Sequence, residues 1–293
     1  MTSYARRCAQ AINALHSIPY FTADLGNELA QFDVTDPSSI YLASRASPLG
    51  RVDAPVVTAV FNAFAPGYIA QRVPALWDQV SPERAVLARQ SAAGTALERL
   101  LGADTVESPE LAHAAKLAAE AAAGCAFPGR PLYAANAALE QPETPHIALW
   151  HAATMLREHR GDGHIAVLGY FELTGVEALV IDCASKHGMA KEIVMPQRGW
   201  VEADWSAARE RLLARDLVDA DGALTARGAA LRDEVERETD RLDRAPYAAL
   251  SGTDVETLAT YVHGLVNTAA RSGAFIPQLL DFFAPDTDTW NKR

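Results

Sequence analysis

Apolar residues along this chain recur mostly at three- and four-residue spacing, and the short bounded runs of Val, Ile and Thr that announce strands are scarce. The pattern predicts a mainly α protein. Several helix starts can be read from their caps. Ser81 with Pro82 and Glu83 opens a helix through Leu101 that Gly102 stops, and Thr174 with Glu177 forms a capping box for a helix ending near Gly188. Thr253 with Glu256 opens another, whose Val255, Leu258, Val262, Leu265 and Ala269 share one face. Between 200 and 245 the texture changes. An amphipathic helix over Trp205–Val218, carried by Ala208, Leu212 and Leu213, leads into LVDADGALT, where Asp221-Gly222 supplies a tight hairpin turn. Thr225 then caps the long polar helix ARGAALRDEVERETDRL. Helix, short β-hairpin wing and long helix is the winged-helix order.

Compared with itself at a shift of 109 residues, the chain lays Ile40-Tyr41-Leu42-Ala43 on Leu149-Trp150-His151-Ala152, Asp53 on Asp162 and Phe61 on Tyr170. These matches fit either an internal duplication or a coincidence between two helical stretches. The duplicated alternative predicts winged-helix-like halves facing each other across a cleft. The expected division is 1–105, a degenerate winged-helix-like domain; 106–250, the winged-helix domain; and 251–293, a C-terminal helical extension.

The length of 293 residues suits two such halves, and 49% hydrophobic with 22% charged residues is ordinarily globular. Twenty-six Lys and Arg against 37 Asp and Glu leave a net charge of −11, which repels a phosphate backbone unless a local basic patch overrides it. Cys8, Cys125 and Cys183 are scattered and lack CxxC spacing, so neither a disulfide framework nor a thiolate zinc site is expected. With no signal-like start and no stretch of roughly 18 charge-free apolar residues, a cytoplasmic protein with no membrane partner is the expectation.

Candidate chemistry concentrates between His146 and His164. Four of the eight histidines, His146, His151, His159 and His164, lie there with Arg157, Glu158, Arg160 and Asp162. The expected structure is a helix to about 160, a turn at Gly161-Asp162-Gly163, and a second helix from His164. His151 and Glu158 are seven apart and can face the same way, while His159 and His164 flank the turn. Plain alternatives exist: Asp162 as an N-cap, His159 and Arg160 as dipole-stabilised C-terminal residues, Arg157 with Glu158 as an ion pair, and His151 as a hydrogen-bonded core residue. HExxH, GxSxG and glycine-rich phosphate loops are absent, so no metal and no bound cofactor is expected.

The N-terminal half adds His16, Tyr20 and Arg45, the last placed by the repeat opposite the histidine-rich turn, and aromatic Phe61. Aromatics at helical spacing are core more often than ligand wall. A site between two halves would still need this mixture of apolar walls and few polar groups. The expected ligand-binding set is therefore Arg157, His151, Arg45, Tyr20, His16 and Phe61. His159, His164 and Glu158 are the expected proton donors and acceptors.

At LWHAATMLREHRGDGHIAVL, with YF and YLASRASPLG near the start and DADGALTARGAALR later, the chain resembles a mostly actinobacterial family of helix-turn-helix, MarR-like winged-helix proteins. The resemblance implies a recognition helix, EADWSAARERLLARDLV, a basic wing and a dimerising helix. The residues oppose the DNA part of it. Glu202 and Asp204 occupy the first turn, the wing is only DADG, and 200–250 holds eight Arg and no Lys against twelve acidic residues. The expected function is small-molecule binding on a repurposed winged-helix scaffold, with acid-base catalysis by His, Arg and Glu as its enzymatic form. The alternative is a MarR-like, ligand-responsive, DNA-binding transcriptional regulator. A homodimer is the expected assembly of that regulator, and the apolar tail AFIPQLLDFFAPDTDTW can dock on the body or on a second subunit.

Overall fold

A computed structural model describes residues 3–186 and 188–285. The end of the apolar tail, from Asp286, lies outside the described residues. The helices that matter for function are α1 (Ser3–Ser17), α2 (Pro37–Ala46), α3 (Pro82–Leu101), α4 (Pro109–Ala123), α5 (Pro131–Ala137), α6 (Pro145–Tyr170), α7 (Gly175–Cys183), α8 (Lys191–Gln197), α9 (Glu202–Ala214), α10 (Ala226–Leu242) and α11 (Gly252–Arg271). The described chain groups into two units. Unit 1 contains residues 1–51, 76–162 and 242–293, and unit 2 contains 52–75 and 163–241. Residues 52–75 thus group with 163–241, not with the rest of the N-terminal region.

Three helices of unit 1 begin with the same local device. Asp36, Ser81 and Ser108 each cap a helix by accepting a main-chain N–H, and each is followed by proline at the first helical position, where a missing N–H costs nothing. The core is built on α1 against α11, with Cys8, Ile12 and Leu15 on one and Leu258, Val262, Val266 and Ala269 on the other. Ala114, Ala118 and Ala121 of α4, and Ala93 and Ala96 of α3, are buried in the same core. Such small side chains let helix backbones come close, which leaves room for large polar groups elsewhere.

Two sequence expectations about helices change. The start of α11 is capped by Ser251 instead of Thr253, while the predicted face of Val255, Leu258, Val262, Leu265 and Ala269 is buried. More consequential, no turn forms at Gly161-Asp162-Gly163: α6 runs unbroken for 26 residues. Interior glycines cost a helix roughly 1 kcal/mol each relative to alanine. Here side-chain ties offset that cost: Arg130 Nη1 donates to the His159 carbonyl at 2.8 Å, and Asp162 is engaged by another helix.

Unit 2 keeps the helix order expected of its sequence. Thr174 and Glu177 form the predicted capping box on α7, and the Thr225 hydroxyl accepts the Gly228 N–H at the start of α10. A Cβ on Gly175 would collide with the Asn62 carbonyl, and one on Gly228 with the Leu217 carbonyl, so glycine sets both backbone approaches. The expected β-hairpin wing is reduced to one antiparallel bridge, Val218 with Leu224, and no strand occurs among the described residues. Asp219 explains the reduction. Its carboxylate accepts the N–H groups of Asp221 and Ala223, so the segment closes on a side chain instead of extending into a ladder.

Candidate functional site

The polar groups of unit 1 converge from α1, the turn Ile18–Phe21, α2, α3 and α6. Glu158 lies at their centre, 1% exposed. Arg45 grips it with two parallel bonds, Nε to Oε1 at 2.9 Å and Nη2 to Oε2 at 3.0 Å, and Arg157 Nη1 adds a third at 2.7 Å. Burial alone would raise the Glu158 carboxyl, but the charges of Arg157 and Arg45 hold it well below the usual carboxylate range. Arg45 also reaches the Tyr41 hydroxyl, and the Tyr41 ring tilts against Tyr20 at 4.9 Å. His16 meets Tyr20 edge-on at 5.3 Å and stacks on Trp150 at 6.2 Å.

Arg89 completes the centre and was invisible as a site residue from sequence. It is 2% exposed, donates to the Ser44 carbonyl and to Asn136 Oδ1, and places its guanidinium 5.6 Å from the Trp150 ring. No carboxylate bonds it among the described residues, and its Nε–H has no hydrogen-bond partner there. Burial pulls the group down to about 10, still charged at neutral pH. Three guanidinium groups thus face one carboxylate. The signal was its setting: Arg89 stands among the buried alanines 85, 88, 92, 93 and 96 of α3, an unusual place for a cation.

Of the residues expected from sequence, Glu158, Arg157, Arg45, Tyr20 and His16 are brought together. The others are not. Adjacent residues on a helix point about 100° apart, so Glu158 and His159 part company. His159 Nδ1 bonds Asp243 Oδ1 at 2.8 Å, and its ring meets Tyr133 edge-on. His164 belongs to unit 2, bonded to the Thr239 hydroxyl at 3.0 Å; the turn expected at 161–163 is absent, while His159 and Asp162, three apart on the helix, both meet Tyr133. Phe61, also in unit 2, is buried against Phe64. His151 is buried beside Gln141 and is lowered to about 4 by burial and by Arg89. No group of three or more His, Cys, Asp or Glu that could hold a metal occurs among the described residues.

Asp162 does act as a cap, but for α5. Its Oδ2 accepts the Tyr133 N–H at 3.0 Å, where Arg130 at the N-cap position provides no side-chain bond. Burial pushes its carboxyl up to about 7; the Tyr133 N–H opposes this, nearby Glu158 adds to it, and Arg45 and the Leu132 N–H oppose it further. An unfolded Asp titrates near 3.9. Between about pH 4 and 7 the folded state therefore holds a proton that the unfolded chain releases, so this group's contribution falls as pH rises through that window. Asp162→Asn should match the wild type near pH 3.5 and exceed its stability by roughly 2–4 kcal/mol at pH 8. Urea denaturation of both proteins at the two pH values checks this, and equal stability at pH 8 would contradict it.

In unit 2 the basic residues of α9 are spent locally. Arg209 Nη2 donates to the Ala220 carbonyl, Arg211 Nε to Glu177 Oε1 at 2.7 Å, and Arg215 to the Glu172 and Phe171 carbonyls. Lys191 pairs with Glu202 in the first turn of α9. Residues 5–276 match a helix-turn-helix family. The chain belongs to this helix-turn-helix family. No curated protein and no solved structure matches it. Because the family match spans residues of both units, the arginine centre lies within the family region as much as α9 does. No single helix among the described residues is long and apolar enough to cross a membrane.

Proposed function

We propose that the protein is a ligand-responsive member of the helix-turn-helix family and that its ligand is a small anion held in unit 1. One observation carries this: Arg89 is a buried cation without a carboxylate partner, beside Arg45 and Arg157, which share the single charge of Glu158. Holding three guanidinium groups against one carboxylate leaves an excess of positive charge at a largely buried place, and a bound anion supplies the balance. His16, Tyr20 and Tyr41 add polar groups on ring walls, the composition of a small-molecule site.

A second reading, a DNA-binding regulator, is favoured by membership of the helix-turn-helix family over 5–276, and its MarR-like form would place α9 on the DNA. Charge weighs against tight binding. Unit 2 carries sixteen acidic residues against eleven Lys and Arg, and the three arginines of α9 and its end are bonded to their own unit. Fluorescence anisotropy on the gene's own upstream DNA separates the two. The DNA reading requires saturable binding at micromolar protein that weakens steeply between about 50 and 200 mM salt. The charge distribution predicts no saturation. Saturable, salt-sensitive binding would make unit 2 a DNA reader despite its charge.

A further inference from the structure

The arginine centre contains a histidine whose tautomer is fixed by its neighbours. The Thr154 hydroxyl donates its one proton to the Trp150 carbonyl at 2.9 Å, the ordinary back-bond of a threonine inside a helix. Toward His16 Nδ1, also at 2.9 Å, Thr154 Oγ1 can then only accept, so Nδ1 carries the ring proton. The ring is 1% exposed, and burial together with the charges of Arg157, Arg45 and Arg89 keeps it neutral, against the weaker pull of Glu158. Nε2 is therefore a bare lone pair. It is buried without a hydrogen-bond partner among the described residues.

The lone pair is held in place. Trp150 Nε1 donates to the His16 carbonyl at 3.1 Å while its indole stacks on the imidazole, and the same indole lies beneath the Arg89 guanidinium. Two unmatched groups of opposite kind thus each adjoin the Trp150 ring: the Arg89 Nε–H, a charged donor, and His16 Nε2, a neutral acceptor. Arg45 and Arg157 direct donors at Glu158. An anion made only of acceptors would satisfy Arg89 and leave Nε2 unmatched in a buried site.

Resting on the anion-binding reading above, we infer that the ligand is a small oxyanion carrying its own O–H, which donates to His16 Nε2 while the oxyanion takes the arginine charge. A hydroxycarboxylate and a hydrogen phosphate share this chemistry. A site that hydrogen-bonds a hydroxyl discriminates against analogues lacking it, because the protein group is left unpaired.

Calorimetric titration of the full chain with two probe pairs tests the inference: glycolate against acetate, and hydrogen phosphate against sulfate. The first pair isolates a hydroxycarboxylate, the second a phosphate. We expect the O–H member of at least one pair to bind about tenfold tighter or more. His16→Gln, which keeps an acceptor, should retain the preference, and His16→Phe should bring the affinity ratio within each pair close to one. Should His16→Phe fail to fold, imidazole 15N shifts of the wild type decide: Nε2 should resonate as an unprotonated nitrogen and move upfield on addition of the preferred probe. Equal affinity within both pairs overturns the inference and leaves the anion site standing. Failure of all four probes to bind overturns both. A protonated Nε2 in the free protein overturns the inference alone.

Discussion

Glu158→Gln should destabilise the protein by about 3–5 kcal/mol, the cost of breaking a buried ion pair from one side. Glutamine keeps the shape and one acceptor but removes the only carboxylate that the buried arginines grip. Arg45, bonded to it twice, would then stand with Arg89 as two buried cations with no counter-charge, beside the partly exposed Arg157. Stabilities of single domains are commonly 5–15 kcal/mol, so a large fraction of the total would be lost. Urea denaturation measures it, and a loss below about 1 kcal/mol would mean that the pair behaves as an exposed one. The double variant Arg45→Met with Glu158→Leu should recover only the part of the loss due to Arg45, since Arg157 and Arg89 still lack the carboxylate.

Arg89→Met should separate function from stability in the opposite direction. Methionine fills comparable length in an alanine-lined setting, and it removes a buried charge that no carboxylate bonds directly. Folding stability should stay the same or rise, apart from a modest cost for Asn136 Oδ1 and the Ser44 carbonyl, which lose donors. Binding of the preferred anionic probe should fall by about two orders of magnitude, the usual result of truncating one partner of a buried charge pair. Thermal melting and calorimetric titration on the same preparation give both numbers. A variant that is much less stable and binds unchanged would identify Arg89 as a structural post. Stability given up for binding is the common pattern at functional sites.

What could be read from the sequence was local. Ser81, Thr174 and Thr225 announced their helices because a cap and its first turn lie within four residues. The two helices of 200–245 were legible for the same reason, but the wing expected between them was not borne out, because Asp219 closes the turn before a ladder can form. The site was half legible. Composition drew attention to Arg157 and Glu158, and the resemblance to a helix-turn-helix family to the segment holding them. Yet Arg45 and Glu158 are 113 positions apart, and no spacing rule relates two helices at that distance. Arg157 and Arg45, expected to hold a ligand directly, both pair with Glu158. Gly-Asp-Gly reads as a turn by residue type. Only the tertiary partners of Asp162 and of the His159 carbonyl reveal why the helix continues through it. Arg89 needed the opposite inference, from a lone cation on an apolar stripe to a buried one.

The unbroken α6 has a mechanical side. At 1.5 Å per residue its 26 residues make a rod about 39 Å long, carrying Trp150, Thr154 and Glu158 in one stretch and His164 in another. A rod is only as stiff as its weakest turn. Gly161 and Gly163 give that turn the lowest intrinsic helicity, at the residues where α6 passes from unit 1 into unit 2. Amide hydrogens just beyond them should exchange faster than those of the flanking turns, which makes the middle of α6 its compliant joint.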